Sequence, residues 1–240
     1  IREYTFYICR SLTKVNINNK ITRIGHNAFA ECSKLKTVSI DRNTKLDEIQ
    51  DFAFCDCTDL EELYLPETLT YIGKSAFEYC SSYKGGTFLI LPDDSKSYKL
   101  WIPDNITSMG ISCFKNSGIE ELNMSPASKL STIPDMAFES CNNLSSINIL
   151  GATSIKTIGM GAFRNCENLC TGTGSGAVSV GRLELPSSIN SINDEAFNGC
   201  KNILYVQLPI YLKSLGNLCL ATGNGNTDIY IPKSLIQMHL

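Results

Sequence analysis

Eleven cysteines and two histidines are the residues of this chain whose chemistry stands out. Seven cysteines, Cys9, Cys32, Cys57, Cys80, Cys141, Cys166 and Cys200, each follow a phenylalanine by three residues. That fixed phase reads as a buried column of free thiols serving as small apolar residues. A disulfide framework is expected to show spacings unrelated to a repeat and an even count, and parallel side chains on stacked units give poor disulfide geometry. The Cys55-Asp56-Cys57 triplet has no second cysteine pair at zinc spacing, and the histidines are His26 and His239 alone, so no metal site is expected. No serine sits in a G-x-S-x-G elbow. The run Gly172-Thr173-Gly174-Ser175-Gly176 is followed by no Gly-Lys-Ser/Thr, so it reads as a flexible linker rather than a phosphate loop. With no nucleophile beside a base, no carboxylate pair and no metal set, the residues point away from an enzyme and call for no cofactor.

The elements that carry these cysteines repeat. Phenylalanine recurs at Phe6, Phe29, Phe54, Phe77, Phe114, Phe138, Phe163 and Phe197, and Leu220 takes the ninth turn. Successive spacings are 23, 25, 23, 37, 24, 25, 34 and 23 residues. The two long ones are the same unit plus insertions at about 84–99 and 170–182. A good copy runs Ile21, Ile24, Gly25, Ala28, Phe29, Cys32, Leu35, Val38, Ile40. Its alternating, β-branched end suits a short strand with one buried face. Pro66, Pro103, Pro186, Pro209 and Pro232 follow that strand and stop it, because proline has no N–H for a ladder. The A-F-x-x-C-x-x-L stretch predicts one or two turns of α- or 3₁₀-helix with a single buried face, and the preceding glycine permits a tight entry into it. A single unit cannot bury its apolar side, whereas stacked units make a continuous core.

The expected fold is therefore an α/β repeat: one solenoid over 1–240 of about nine 23–25-residue coils. A parallel sheet would line the concave side, with short helices or 3₁₀ turns opposite. The net charge of −3 offers no basic face for nucleic acid, and no apolar run approaches a membrane span. The first and last residues lie in nearly the same repeat phase, as expected of a segment cut from a longer array.

The tokens Ile24-Gly25-His26-Asn27-Ala28-Phe29-Ala30-Glu31-Cys32 and Ile158-Gly159-Met160-Gly161-Ala162-Phe163-Arg164-Asn165-Cys166 resemble the BspA-like (Treponema pallidum-type) leucine-rich repeats. The resemblance covers essentially the whole chain. Two copies depart from it: Phe114 has Ser117 where the cysteine belongs, and the ninth copy has Leu220 for phenylalanine. The resemblance implies a secreted or cell-surface protein of a bacterium or protist, engaged in adhesion and in binding a host protein or glycan. A spacer segment with no ligand of its own is the alternative.

On such a solenoid the residues between buried strand positions face the concave side. The candidate ligand-binding residues there are Tyr64, Trp101, Glu62, Lys99, Asn123 and Glu121. Trp101 is the single tryptophan, and adjacent strands should make Tyr64 and Trp101 neighbours. Exposed aromatics on a rigid sheet are frequent anchors of interfaces. Trp101 could instead be covered by its own insertion. Phe88 to Leu91 is too apolar for a free loop and should form an extra strand or fold back on the array. Both insertions leave at the same phase, and so on the same side. Asn105, Asn123 and Asn143 begin glycosylation sequons, which matter only in a eukaryotic secretory setting.

Overall fold

The computed structural model describes residues 1–90, 96–171 and 180–233. In chain order its strands are β1 (Lys14–Ile17), β2 (Arg23–Ile24), β3 (Thr37–Ile40), β4 (Glu48–Ile49), β5 (Glu62–Leu63) and β6 (Tyr71–Ile72). There follow β7 (Thr87–Ile90), β8 (Lys96–Ile102), β9 (Ser108–Met109), β10 (Glu121–Met124), β11 (Thr132–Ile133) and β12 (Ser146–Asn148). The last are β13 (Thr157–Ile158), β14 (Arg182–Glu184), β15 (Ser191–Ile192), β16 (Tyr205–Gln207), β17 (Ser214–Leu215) and β18 (Asp228–Tyr230). β7 aside, they alternate between two kinds, so that the described turns of a β-solenoid of about nine turns contribute nine strands to one parallel wall and eight to the other.

The first wall holds the V-x-I strands and pairs like residues of successive coils, as in Val15 with Val38 and Val38 with Leu63. It is broken into three panels: β1-β3-β5, then β12-β10-β8-β7, then β14-β16-β18. The second wall holds the short strands that end in isoleucine just before the repeat glycine. It is broken once, into β2-β4-β6-β9 and β11-β13-β15-β17. The cause of that break is local. Gly110 donates its N–H to the Ile72 carbonyl and Gly159 to the Ile133 carbonyl, each at 2.8 Å. The residue at that place in the intervening coil is Pro134, which has no N–H to give.

The phenylalanine arcs are not helices, contrary to the reading from periodicity. Each is a run of tight turns whose N–H groups alternate in direction. Ala28, Ala30 and Cys32 donate three residues back within their own coil, to Gly25, Asn27 and Phe29. Asn27, Phe29 and Glu31 donate outward, to the carbonyls of Asp51, Ala53 and Cys55 in the next coil, at 2.8–3.1 Å. The alternation requires left-handed backbone two residues before and two after each phenylalanine. Non-glycine residues hold it at Asn27 and Glu31, Phe52 and Asp56, Ser75 and Tyr79, Ser112 and Asn116, and Met136 and Ser140. Left-handed backbone costs L-residues about 1–2 kcal/mol each, and the inter-coil bonds offset it. The repeat glycine also has another reason than the one expected. A Cβ on Gly25, Gly73, Gly110, Gly159 or Gly216 would press into the backbone of the preceding coil, so close approach selects it.

Inside, the phenylalanine rings stack from Phe6 to Phe197 with centroids 5.1–5.5 Å apart and planes 3–13° from parallel. Phe29 to Phe197 are fully buried, each contributing roughly 1.5–3 kcal/mol. The cysteine column is a hydrogen-bond ladder as well as packing. Cys32, Cys57, Cys80, Cys141, Cys166 and Cys200 each donate Sγ–H to the phenylalanine carbonyl of the preceding coil at 3.0–3.1 Å. All eleven thiols are free, and burial raises the pKa of Cys32 to about 11.

Candidate binding face

The first wall, which carries the candidate residues and is the expected inner wall, breaks at the two insertions, and the first break is built around Tyr83. Tyr83 stands where other coils have Leu35, Leu60 or Leu144, six residues after the phenylalanine. It is fully buried, stacks on Phe77 at 5.3 Å, and donates its hydroxyl to the Leu63 carbonyl at 3.0 Å. No strand pairs with β5 on that side among the described residues. The tyrosine hydroxyl thus supplies the donor that a next strand would have supplied. Gly85 packs on the Lys99–Leu100 backbone and Gly86 on the Leu63–Tyr64 backbone. The chain then enters β7, which runs antiparallel to β8 with Thr87 opposite Lys99 and Ile90 opposite Lys96. Thr87–Ile90 of the first insertion is therefore an extra strand, one of the two outcomes expected of this apolar segment, and Leu91 lies outside the described residues.

Two consequences follow for the candidate residues. Tyr64 and Trp101 are not on paired strands, because Gly85 and Gly86 lie between β5 and β8. Both rings are nonetheless open, at 47% and 41% exposure. Glu62 is exposed beside Tyr64, and its carboxylate accepts a hydrogen bond from the Thr37 hydroxyl at 3.3 Å.

The central panel differs from the solvated face that alternation suggests. Lys99 and Glu121 pair at 3.1 Å with little side-chain exposure, and Asn123 is only 4% exposed. Every residue of β10 is buried. Asn123 stands in register between Trp101 and Asn148. Its Oδ1 accepts the Asn148 amide at 3.2 Å, whereas its Nδ2 has no partner.

At the second break the backbone itself spans the gap. Cys170 donates N–H to the Ser145 carbonyl at 2.9 Å, and Gly181 donates to the Cys170 carbonyl at 2.7 Å. The glycine run at 172–176 lies outside the described residues. Beyond it, the Arg182 guanidinium lies 4.6 Å from the Tyr205 ring centroid, 2.9 Å from a Glu184 oxygen, and donates to Gln207 at 3.1 Å. Position in the repeat marks these residues as neighbours. Nothing in sequence marks the bridging roles of Tyr83, Gly85 and Gly86. Among the described residues no group of three or more His, Cys, Asp and Glu could hold a metal ion, and no helix is long and apolar enough to cross a membrane.

A stack of short parallel strands with a continuous phenylalanine column and one open sheet face defines a leucine-rich-repeat solenoid. Residues 1–89, 93–180 and 174–239 match the BspA-type leucine-rich repeat region, and the chain belongs to that family. Its structure is similar to that of the Treponema pallidum leucine-rich repeat protein, at 24% identity over 70% of each chain and a TM-score of 0.58. It is also similar to a leucine-rich repeat protein from Eubacterium ventriosum, at 17% identity over 93% of this chain and 80% of the other, with a TM-score of 0.50. These likenesses concern the fold. No curated protein matches the sequence.

Proposed function

We propose that the chain is a secreted or cell-surface recognition module that adheres to a host protein or glycan through its inner face and insertions. The observation that carries this reading is the pair of open rings, Trp101 on β8 and Tyr64 just after β5, whose flanking residues are fixed in the core. Leu63, Leu65, Leu100 and Ile102 are all nearly inaccessible, so the rings bind without first losing backbone freedom. Glu62, Lys99, Glu121 and Asn123 stand around them as the polar part of the same surface. Membership of the BspA-type family supports the surface setting, which that resemblance implies.

The test is binding of the chain to immobilised matrix proteins and to host cells, with Tyr64→Ala, Trp101→Ala and the double variant. Both rings are exposed, so the variants should fold normally. Loss of most binding in the double variant is expected. Unchanged binding would place the ligand elsewhere and sink the inner-face assignment.

A further inference from the structure

We infer that the inner face around Trp101 is a subsite for a neutral oligosaccharide, one pyranose stacking on the indole and its neighbour hydrogen-bonded by the Asn123–Asn148 amides. This rests on the reading of the inner face as the binding surface and names the ligand class.

Four observations carry it. First, the indole is open while the residues on either side of it are locked in the core, which makes it a fixed platform. An aromatic face is electron-rich and attracts the polarised C–H groups of a sugar's apolar side. Second, the chain segment on the Tyr64 side of the indole is Gly85–Gly86, which carries no side chain. Third, on the other side Asn123 and Asn148 continue the row at one strand per step, about 4.8 Å, close to the rise of one sugar along an extended glycan. Asn123 is nine-tenths buried and its Nδ2 has no acceptor in the protein. That unmatched donor leaves the amide pair one acceptor short. Asn148 is exposed, so the amide pair has an open end. Fourth, among the described residues Lys99 and Glu121, two positions before Trp101 and Asn123 on the same strands, neutralise each other at 3.1 Å. Uncharged amides and a neutralised pair select hydroxyls over sulfates or carboxylates.

The single tryptophan makes the test direct, because its emission reports this subsite alone. The intact chain would be titrated with cellotetraose, the N-acetylglucosamine tetramer and lacto-N-tetraose, with a heparin tetrasaccharide as the charged comparator. At least one neutral sugar should give a saturable shift in Trp101 emission, and heparin none. Asn148→Ala should weaken that binding by roughly tenfold, the loss of one good hydrogen bond. In calorimetry Trp101→Phe should retain part of the affinity and Trp101→Ala none.

No saturable change with any of the three neutral sugars overturns the inference, as does an unchanged affinity in Asn148→Ala. The broader reading is judged separately. If the chain binds a matrix protein and Trp101→Ala abolishes that binding while the sugars leave the emission unmoved, the glycan subsite fails and the binding face stands. If neither sugars nor matrix proteins and cells respond to these residues, both fail.

Discussion

Between Phe77 and Phe114 the two sides of the solenoid respond differently to the same insertion. On the arc side the rings remain 5.1 Å apart and the N–H groups of Ser75, Phe77 and Tyr79 still reach the next coil at 2.8–2.9 Å. On the inner side the sheet ends at β5 and resumes only after Gly85, Gly86 and β7. The second insertion repeats the contrast: Phe163 and Phe197 stack at 5.3 Å while β12 and β14 do not pair with each other. One side behaves as a spine whose spacing is fixed by ring thickness and backbone bonds. The other opens into panels, and the openings bring glycines, an extra strand and altered neighbours to the inner face. Variation there leaves the stack intact, which is how a repeat array can gain a specific surface without losing its core.

The largest expected effect comes from breaking the spine at its middle. Phe114→Ala removes a ring stacked on both sides and should destabilise the chain by about 3–5 kcal/mol, read from guanidinium unfolding. Phe6→Ala removes a half-buried ring at the end of the stack and should cost about half as much or less. Equal losses would show that the column is not a coupled spine.

A smaller effect should follow from Tyr83. Tyr83→Phe keeps the stacked ring and strands the Leu63 carbonyl, at a cost of about 1–3 kcal/mol. Tyr83→Leu restores the residue type of Leu35 and Leu60 yet should destabilise more, because it removes both the ring and the donor where the sheet is parted. If Tyr83→Leu unfolded at the same denaturant concentration as the parent, the first break would not depend on this tyrosine.

The repeat, the buried phenylalanine and cysteine columns and the strand phase were legible in the sequence, because each is a one-dimensional pattern of burial. The helices were misread for a physical reason. Phe, Cys and Leu at intervals of three fit a helix and a series of tight turns equally. What separates the two is the left-handed backbone at residues such as Tyr4, Ile8, Glu31 and Met136, types that give no hint of it. Those conformations are held by bonds to another coil, which local periodicity does not register. The same holds for the face. Trp101 was found as a lone indole at a solvent position. The burial of Glu121 and Asn123, and the glycines between Tyr64 and Trp101, arise from neighbours distant in sequence.

The thiol ladder gives the smallest effect, and it sharpens the contrast by reporting on the spine alone. Burial raises the Cys141 thiol to about 11, partly opposed by hydrogen bonding to Ser117. An unfolded thiol ionises near 8.5–9. Below that range the thiol is neutral in both states and contributes no pH dependence. Between about 9 and 11 only the unfolded chain loses the proton, so stability falls as pH rises, and above the folded value the loss is complete. One such thiol should cost roughly 0.8 kcal/mol by half a pH unit above its unfolded pKa. The measurement is urea unfolding of the parent chain and Cys141→Ala from pH 7 to 10. The variant starts less stable at pH 7, having lost the Sγ–H bond to Phe114, and its stability should then fall less steeply above pH 9. Parallel curves would mean that Cys141 ionises as readily in the folded chain as in the unfolded one, and that the arc side opens to solvent more than its stacked rings and short bonds imply.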